Sequence, residues 1–150
     1  MAGMARRDAA SPRAGVLARL SVSNVARRAH VDANALACCL WVREWLRYAY
    51  ELPETIADLG ALNRVPVGDC DDMVCALAGL LYRLGYHWKG QRFAVGYKGG
   101  RPAHVWLEVR RQGHGRWIPL DPTTYRLEPG QSPGHYFGRV ERYNLGELLA

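Results

Sequence analysis

Gly68-Asp69-Cys70-Asp71-Asp72 opens the stretch GDCDDMVCALAGLLYRLG at residues 68–85, the segment on which the organisation of the chain turns. Cys70, Val74, Leu77, Ala78, Leu81 and Leu84 fall on one stripe at helical spacing; Gly68 and Asp69 mark the start, and Gly85 is placed as a terminating left-handed residue. A helix beginning here puts Cys70 in its first turn, where unpaired amides and aligned peptide dipoles favour negative charge and hence a thiolate. Asp69, Asp71 and Asp72 act in the opposite sense, because their charges repel a thiolate unless a protonated histidine offsets them. Without a partner, a cysteine heading an apolar stripe is more often a small core residue.

Upstream, Cys38, Trp41, Val42, Trp45, Leu46 and Ala49 recur at i, i+3, i+4, i+7, i+8 and i+11 after Asp32 and Asn34, either of which suits a helix cap. This amphipathic helix carries Arg43, Glu44 and Arg47 on its other side and is expected to stop near Glu51, before Pro53. Residues 53–69 read as a connector with one short helical turn around 55–62. Downstream, the pattern changes to short alternating segments at 91–98, 103–111 and 115–121, with turns at Lys98-Gly99-Gly100-Arg101-Pro102 and Gln112-Gly113. A Gly/Pro/Ser-rich loop covers 128–138, a last strand is expected over 139–143, and the end is expected to fray. Helices first and strands afterwards predict one α+β domain over residues 31–150, with helices packed on an antiparallel sheet.

The 150 residues are 49% hydrophobic and 23% charged, enough for one domain with a core and unlike collagen, a coiled coil or a disordered chain. The longest apolar run, Ala35 to Val42, is far short of the roughly 20 residues of a spanning helix. No signal-peptide stretch is recognised, and the four cysteines are too few for a disulfide scaffold, so a reduced, cytoplasmic protein without a membrane partner is expected. The net charge of +6 sits mostly in residues 1–30, where six arginines face one acid. That segment reads as a basic, flexible tail, or else as an arm for nucleic acid or an acidic partner, or an organelle-targeting signal. The remaining chain is nearly neutral, unlike a nucleic-acid-binding domain.

A partner for Cys70 comes from the strands. If Gln112-Gly113 is a two-residue turn, the facing pairs are 108:117, 106:119 and 104:121, so His104 faces Asp121. These pairs fall in the non-hydrogen-bonded class, which suits Pro119, a residue with no amide proton. His104, Trp106 and Glu108 then share one face, while Ala103, Val105, Leu107 and Val109 share the face that packs on the helices. A thiol at a helix start and an imidazole held by a carboxylate are what nucleophilic cysteine catalysis requires. Alone, His104 reads as an ordinary satisfied histidine and Asp121 as a turn residue before Pro122; the register couples them. His30, His87, His114 and His135 have no such partner, and Cys38, Cys39 and Cys75 read as packing residues.

Gly68-Asp69-Cys70-Asp71-Asp72, His104-Val105-Trp106-Leu107-Glu108-Val109 and Trp117-Ile118-Pro119-Leu120-Asp121-Pro122-Thr123 resemble, in order and spacing, the nucleophile, histidine and aspartate segments of the transglutaminase-like superfamily, including its bacterial cysteine-peptidase-like members. The resemblance covers roughly residues 35–125. It implies a papain/transglutaminase-like core, with Cys70 as nucleophile, His104 as general base and acid, and Asp121 orienting the imidazole. The implied reaction is acyl transfer at a carboxamide or peptide bond of a peptide or protein substrate, with no cofactor. Relatives supply a Gln or Trp upstream of the nucleophile as a second oxyanion donor; this chain has no Gln before Cys70, and Trp41 and Trp45 belong to the core stripe.

That departure favours an alternative, a weakly catalytic binding or assembly module that keeps a peptide groove, as in factors of bacteria or their viruses. A metal site of Asp69, Cys70, Asp71, Asp72 and His104 is a third reading. No Cys-x-x-Cys pair or second clustered histidine completes a tetrahedral zinc set, so no metal is expected.

Overall fold

The computed structural model describes residue 5 and residues 31–50, 56–110 and 115–150. Helix α1 (Val31–Trp45) is followed by strand β1 (Arg47–Tyr48), helix α2 (Leu59–Arg64), strand β2 (Val67–Gly68) and helix α3 (Cys70–Arg83). Strands β3 (Gln91–Lys98), β4 (Arg101–Val109), β5 (Ile118–Leu120) and β6 (Arg139–Asn144) form an antiparallel sheet in the order β5-β4-β3-β6, and helix α4 (Leu145–Leu148) ends the chain. The expected α+β architecture is present, with helices on one face of the sheet. Cys38, Val42 and Leu46 of α1, Val74, Leu77 and Leu81 of α3, and Val105, Leu107 and Val109 of β4 share one buried core.

The alternation of β4 places Trp106 and Glu108 on the opposite face, and they too are buried. Glu108 accepts from Arg92 of β3 at 2.7 Å and from Arg142 of β6 at 3.1 Å, so a buried carboxylate is paired across two strands. Trp106 lies under Phe137, with ring centroids 5.9 Å apart.

Several boundaries differ from the expectations. Helix α1 already includes Val31, so neither Asp32 nor Asn34 caps it, and it ends at Trp45 rather than near Glu51. The chain leaves the helix because β1 pairs in parallel with β2: the Arg47 amide donates to the Pro66 carbonyl at 2.9 Å and that of Ala49 to Gly68 at 3.0 Å. The carboxyl end does not fray; Leu145 of α4 is fully buried in the core. Gly85 does end α3 with φ of 94°. Residues 1–4 and 6–30, which hold the basic excess and His30, lie outside the described residues, as does His114; Ala5 is buried against the core. Among the described residues no helix is long and apolar enough to cross a membrane.

The register between β4 and β5 also differs. The pairs are Leu107↔Leu120, Glu108↔Pro119 and Val109↔Ile118, two residues from the expected alignment. Gly115 takes φ of 95°, so the bend extends beyond the expected Gln112-Gly113 turn, whose own residues lie outside the described ones. A shift of two preserves side-chain facing. The proline expectation also survives: the Pro119 carbonyl accepts from Gly130 at 2.8 Å, so this residue's backbone edge points away from β4.

Gly96 faces His104 across β3 and β4, beside a register irregularity between Gly96 and Tyr97. A β-carbon at Gly96 would overlap the Phe137 ring. Gly96→Ala is therefore expected to destabilise the fold by about 1–3 kcal/mol through overpacking, read by urea denaturation. Unchanged stability would contradict this seating of Phe137 on the sheet.

Candidate active site

Cys70 is the first residue of α3. Asp69 caps the helix by accepting from the amides of Asp71 and Asp72 at 3.2 and 3.5 Å, and Asp72 reciprocates by accepting the Asp69 amide at 3.3 Å. Asp72 also accepts the Ala57 amide at 2.6 Å. A β-carbon at Gly68 would lie 2.8 Å from that of Asp72, so the cap needs glycine where β2 meets α3. The thiol is thus positioned by its own helix cap and, through β1 and β2, by the end of α1. Among the described residues the Cys70 amide has no hydrogen-bond acceptor.

The three acids therefore serve largely as caps. Burial, a hydrogen bond with Asp69 and the charges of Asp69 and Asp72 push Asp71 up to about 7. It carries a proton for part of the time at neutral pH, which softens the expected repulsion of a thiolate. The ligand atoms of Asp69, Cys70 and Asp71 lie within 4.8 Å of one another and are close enough to share an ion. Asp72 and His104, from the five-residue metal set considered above, do not join that group. Of the four free cysteines, Cys38, Cys39 and Cys75 are buried and Cys70 is partly exposed. Burial pushes the Cys39 thiol well above its ordinary range.

His104 projects from β4 and its Nε2 lies 2.8 Å from Asp121 Oδ2. Continuing the β4–β5 register would place Asp121 opposite Trp106, so the bond is a diagonal one rather than the directly opposed pair expected from sequence. Asp121 is buried, and its other oxygen accepts from the Thr123 amide at 3.0 Å and the Thr123 hydroxyl at 2.7 Å. His104 stacks beside Trp106 and Phe137, with centroid distances of 6.2 and 6.0 Å.

Arg43 was expected on the exposed side of its helix and is instead only 5% exposed. It donates to the carbonyls of Asp121 at 2.8 Å and Leu127 at 3.0 Å, and its own carbonyl accepts the Tyr125 hydroxyl at 3.1 Å. Through Nη2 the guanidinium clamps both sides of the Thr123 turn to α1. Sequence reasoning missed both supports. Thr123 carries a local signal, a hydroxyl two residues after an aspartate, while nothing near Arg43 reveals carbonyls some 80 positions away.

Two cavities meet at His104 and Tyr48. One, about 460 Å³, is bounded by Cys70, Asp69, Asp71, Tyr50 and Tyr97. The other, about 440 Å³, lies on the Asp121–Thr123 side and is walled by Pro133, Tyr136 and Phe137 from the 128–138 loop. Burial, reinforced by the charges of Cys70 and Asp69, raises the Tyr48 hydroxyl.

The family model of the transglutaminase-like superfamily matches residues 18–122, beginning inside the segment read as a tail and ending just beyond Asp121. The chain belongs to the transglutaminase-like superfamily. Among curated proteins no sequence matches this superfamily member. Its fold is similar to that of a candidate cysteine protease from Cytophaga hutchinsonii, with TM-score 0.59 and 19% identity over 92% of this chain and 50% of that one. The chain thus spans half the length of that structure. EGTA-treated Legionella pneumophila LapG is more distantly similar, with TM-score 0.43 and 14% identity over 78% of this chain and 77% of the other.

Burial opposes protonation of His104, but the hydrogen bond to Asp121, the nearby Cys70 thiol and the charges of both outweigh it and raise its pKa to about 9. Burial would raise Asp121, yet bonds from His104 and Thr123 and the charge of His104 hold it below the usual carboxylate range. An unfolded histidine titrates near ~6.5, so the imidazolium stabilises the fold fully below that pH and loses its contribution as pH rises through about 9. The melting-temperature advantage of the parent over His104→Gln is expected to be largest near pH 6 and to shrink by pH 10. A difference constant over that interval would contradict a charged pair.

Proposed function

We propose that this superfamily member catalyses thiol-dependent acyl transfer at an amide bond, as a cysteine peptidase, amidase or transamidase, with Cys70, His104 and Asp121 as its working groups. The observation that carries the proposal is the His104 imidazole, bonded through Nε2 to buried Asp121 and bordering the same cavity as the Cys70 thiol at a helix start. Nε2 is committed to the carboxylate, which leaves Nδ1 for the thiol. A histidine charged at neutral pH stabilises the thiolate form of Cys70.

In the acylation step the Cys70 sulfur forms a bond to the substrate carbonyl carbon. The carbon–nitrogen bond then breaks, and His104 passes its proton to the departing amine. Water or an amine next attacks the thioester and gives its proton to His104, and the carbon–sulfur bond breaks to restore the thiolate–imidazolium pair. Asp121 keeps the ring oriented and balances its charge throughout. The amide of Cys70, free of the capping carboxylate, is one donor to the developing oxyanion. The Tyr48 hydroxyl, held on β1 beside the nucleophile's cavity, takes the place of the Gln or Trp missing upstream.

Turnover of capped peptide amides, followed by mass spectrometry, tests the scheme. Cys70→Ala is expected to abolish it, Asp121→Asn to lower kcat on the order of 10³-fold, and Tyr48→Phe to lower kcat on the order of 10²-fold. Normal turnover in Asp121→Asn would overturn the assignment of the three groups, and normal turnover in Tyr48→Phe would remove Tyr48 from the oxyanion site.

A further inference from the structure

The two cavities that meet at His104 differ in charge. His104 borders both; beyond it, the Cys70 side carries the acids Asp69 and Asp71, whereas on the Asp121 side Lys98 and Arg126 line the space. Both cations are exposed, and neither forms an ion pair among the described residues. Lys98 extends over Phe137, its Nζ 5.4 Å from the ring centroid, so one cation is seated at the cavity wall. The acid lining this cavity is Asp121, and its oxygens are already engaged by His104 and Thr123. Thr124 adds a hydroxyl to the same wall. About 440 Å³ is room for one or two side chains of an extended peptide, not for a folded partner.

We propose that this cavity is a subsite for an acidic side chain, so that the substrate is a peptide segment carrying Asp or Glu within a few residues of the reacting amide. The subsite rests on the acyl-transfer assignment only for its position beside the reacting centre. Two cations without an acidic partner among the described residues, lining one concave site, attract a carboxylate, and charge-assisted hydrogen bonds give it a preferred place. On the other side of His104, Asp69 and the ionised fraction of Asp71 repel an acid, while the rings of Tyr50 and Tyr97 suit an apolar or basic residue. The substrate is therefore acidic towards the 128–138 loop and not acidic over Cys70.

Binding to Cys70→Ala protein, measured by fluorescence anisotropy, separates the subsite from the chemistry. The probes are three fluorophore-labelled, capped heptapeptides of one apolar sequence bearing a Glu pair, a Gln pair or a Lys pair. The Glu peptide is expected to bind about tenfold more tightly than the Gln peptide, with the Lys peptide weakest. The exposed double substitution Lys98→Glu/Arg126→Glu, with its melting temperature checked, is expected to reverse that order. Equal binding of the three peptides, or a Glu preference that survives the double substitution, would overturn the subsite. The parent enzyme is then incubated with the Glu peptide: a Glu preference without turnover would count against the acyl-transfer function while leaving the subsite standing.

Discussion

The hydrogen bond between His104 and Asp121 is the constraint around which the site is arranged. It joins β4 to the segment just after β5, and each end is held by a different part of the fold. Trp106 and Phe137 stack beside the imidazole on one face of the sheet, and Phe137 reaches that position because Gly96 has no side chain. Thr123 occupies the second carboxylate oxygen, and Arg43 anchors the carbonyl of the same aspartate to α1. The ring's rotation is restrained, and the hydrogen bond and charge of Asp121 at Nε2 help raise its pKa to about 9 against the opposing effect of burial. Placement of Cys70 is the complementary half of the arrangement. The Asp69–Asp72 cap and the β1–β2 pair fix the start of α3, so helix, sheet and site share the same supports.

Electrostatics around the thiol are balanced rather than uniformly favourable. Three acids surround Cys70 in sequence, an arrangement that taken at face value opposes a thiolate. In the fold Asp72 is consumed by two backbone amides, Asp69 by the helix cap, and Asp71 is pushed towards neutrality. The helix start and the His104 imidazolium then act against a smaller opposing charge. Acids at this position thus order the backbone at Cys70, with a moderate electrostatic cost.

Much of this was legible in the sequence, for reasons that differ by element. Helix α3, its glycine stop and strands β3 and β4 follow from periodicity and turn chemistry, which are local. The union of His104 with Asp121 was anticipated through a register that proved two residues off. It survived because a two-residue slip preserves facing, whereas a slip of one would have separated the pair. What stayed hidden depends on distant partners. The early end of α1 comes from strand pairing with residues 66–68, and the burial of Arg43 depends on carbonyls of Asp121 and Leu127. Tyr48 likewise reads as part of a helix in sequence and gains its place beside Cys70 only through β1. Family membership follows from the match over residues 18–122, while the roles of individual residues are proposed here from the geometry described above.

The central claim is that Cys70 and His104 form a thiolate–imidazolium pair. Its most direct test is the rate of Cys70 alkylation by iodoacetamide as a function of pH, read site by site by mass spectrometry in the parent and in His104→Ala, with Cys38, Cys39 and Cys75 as internal controls. The pair predicts rapid alkylation of Cys70 well below the ~8.5 of a free thiol, lost in the variant, while the buried controls stay slow. Alkylation of Cys70 that follows an ordinary thiol titration, or that is unchanged by His104→Ala, would contradict it.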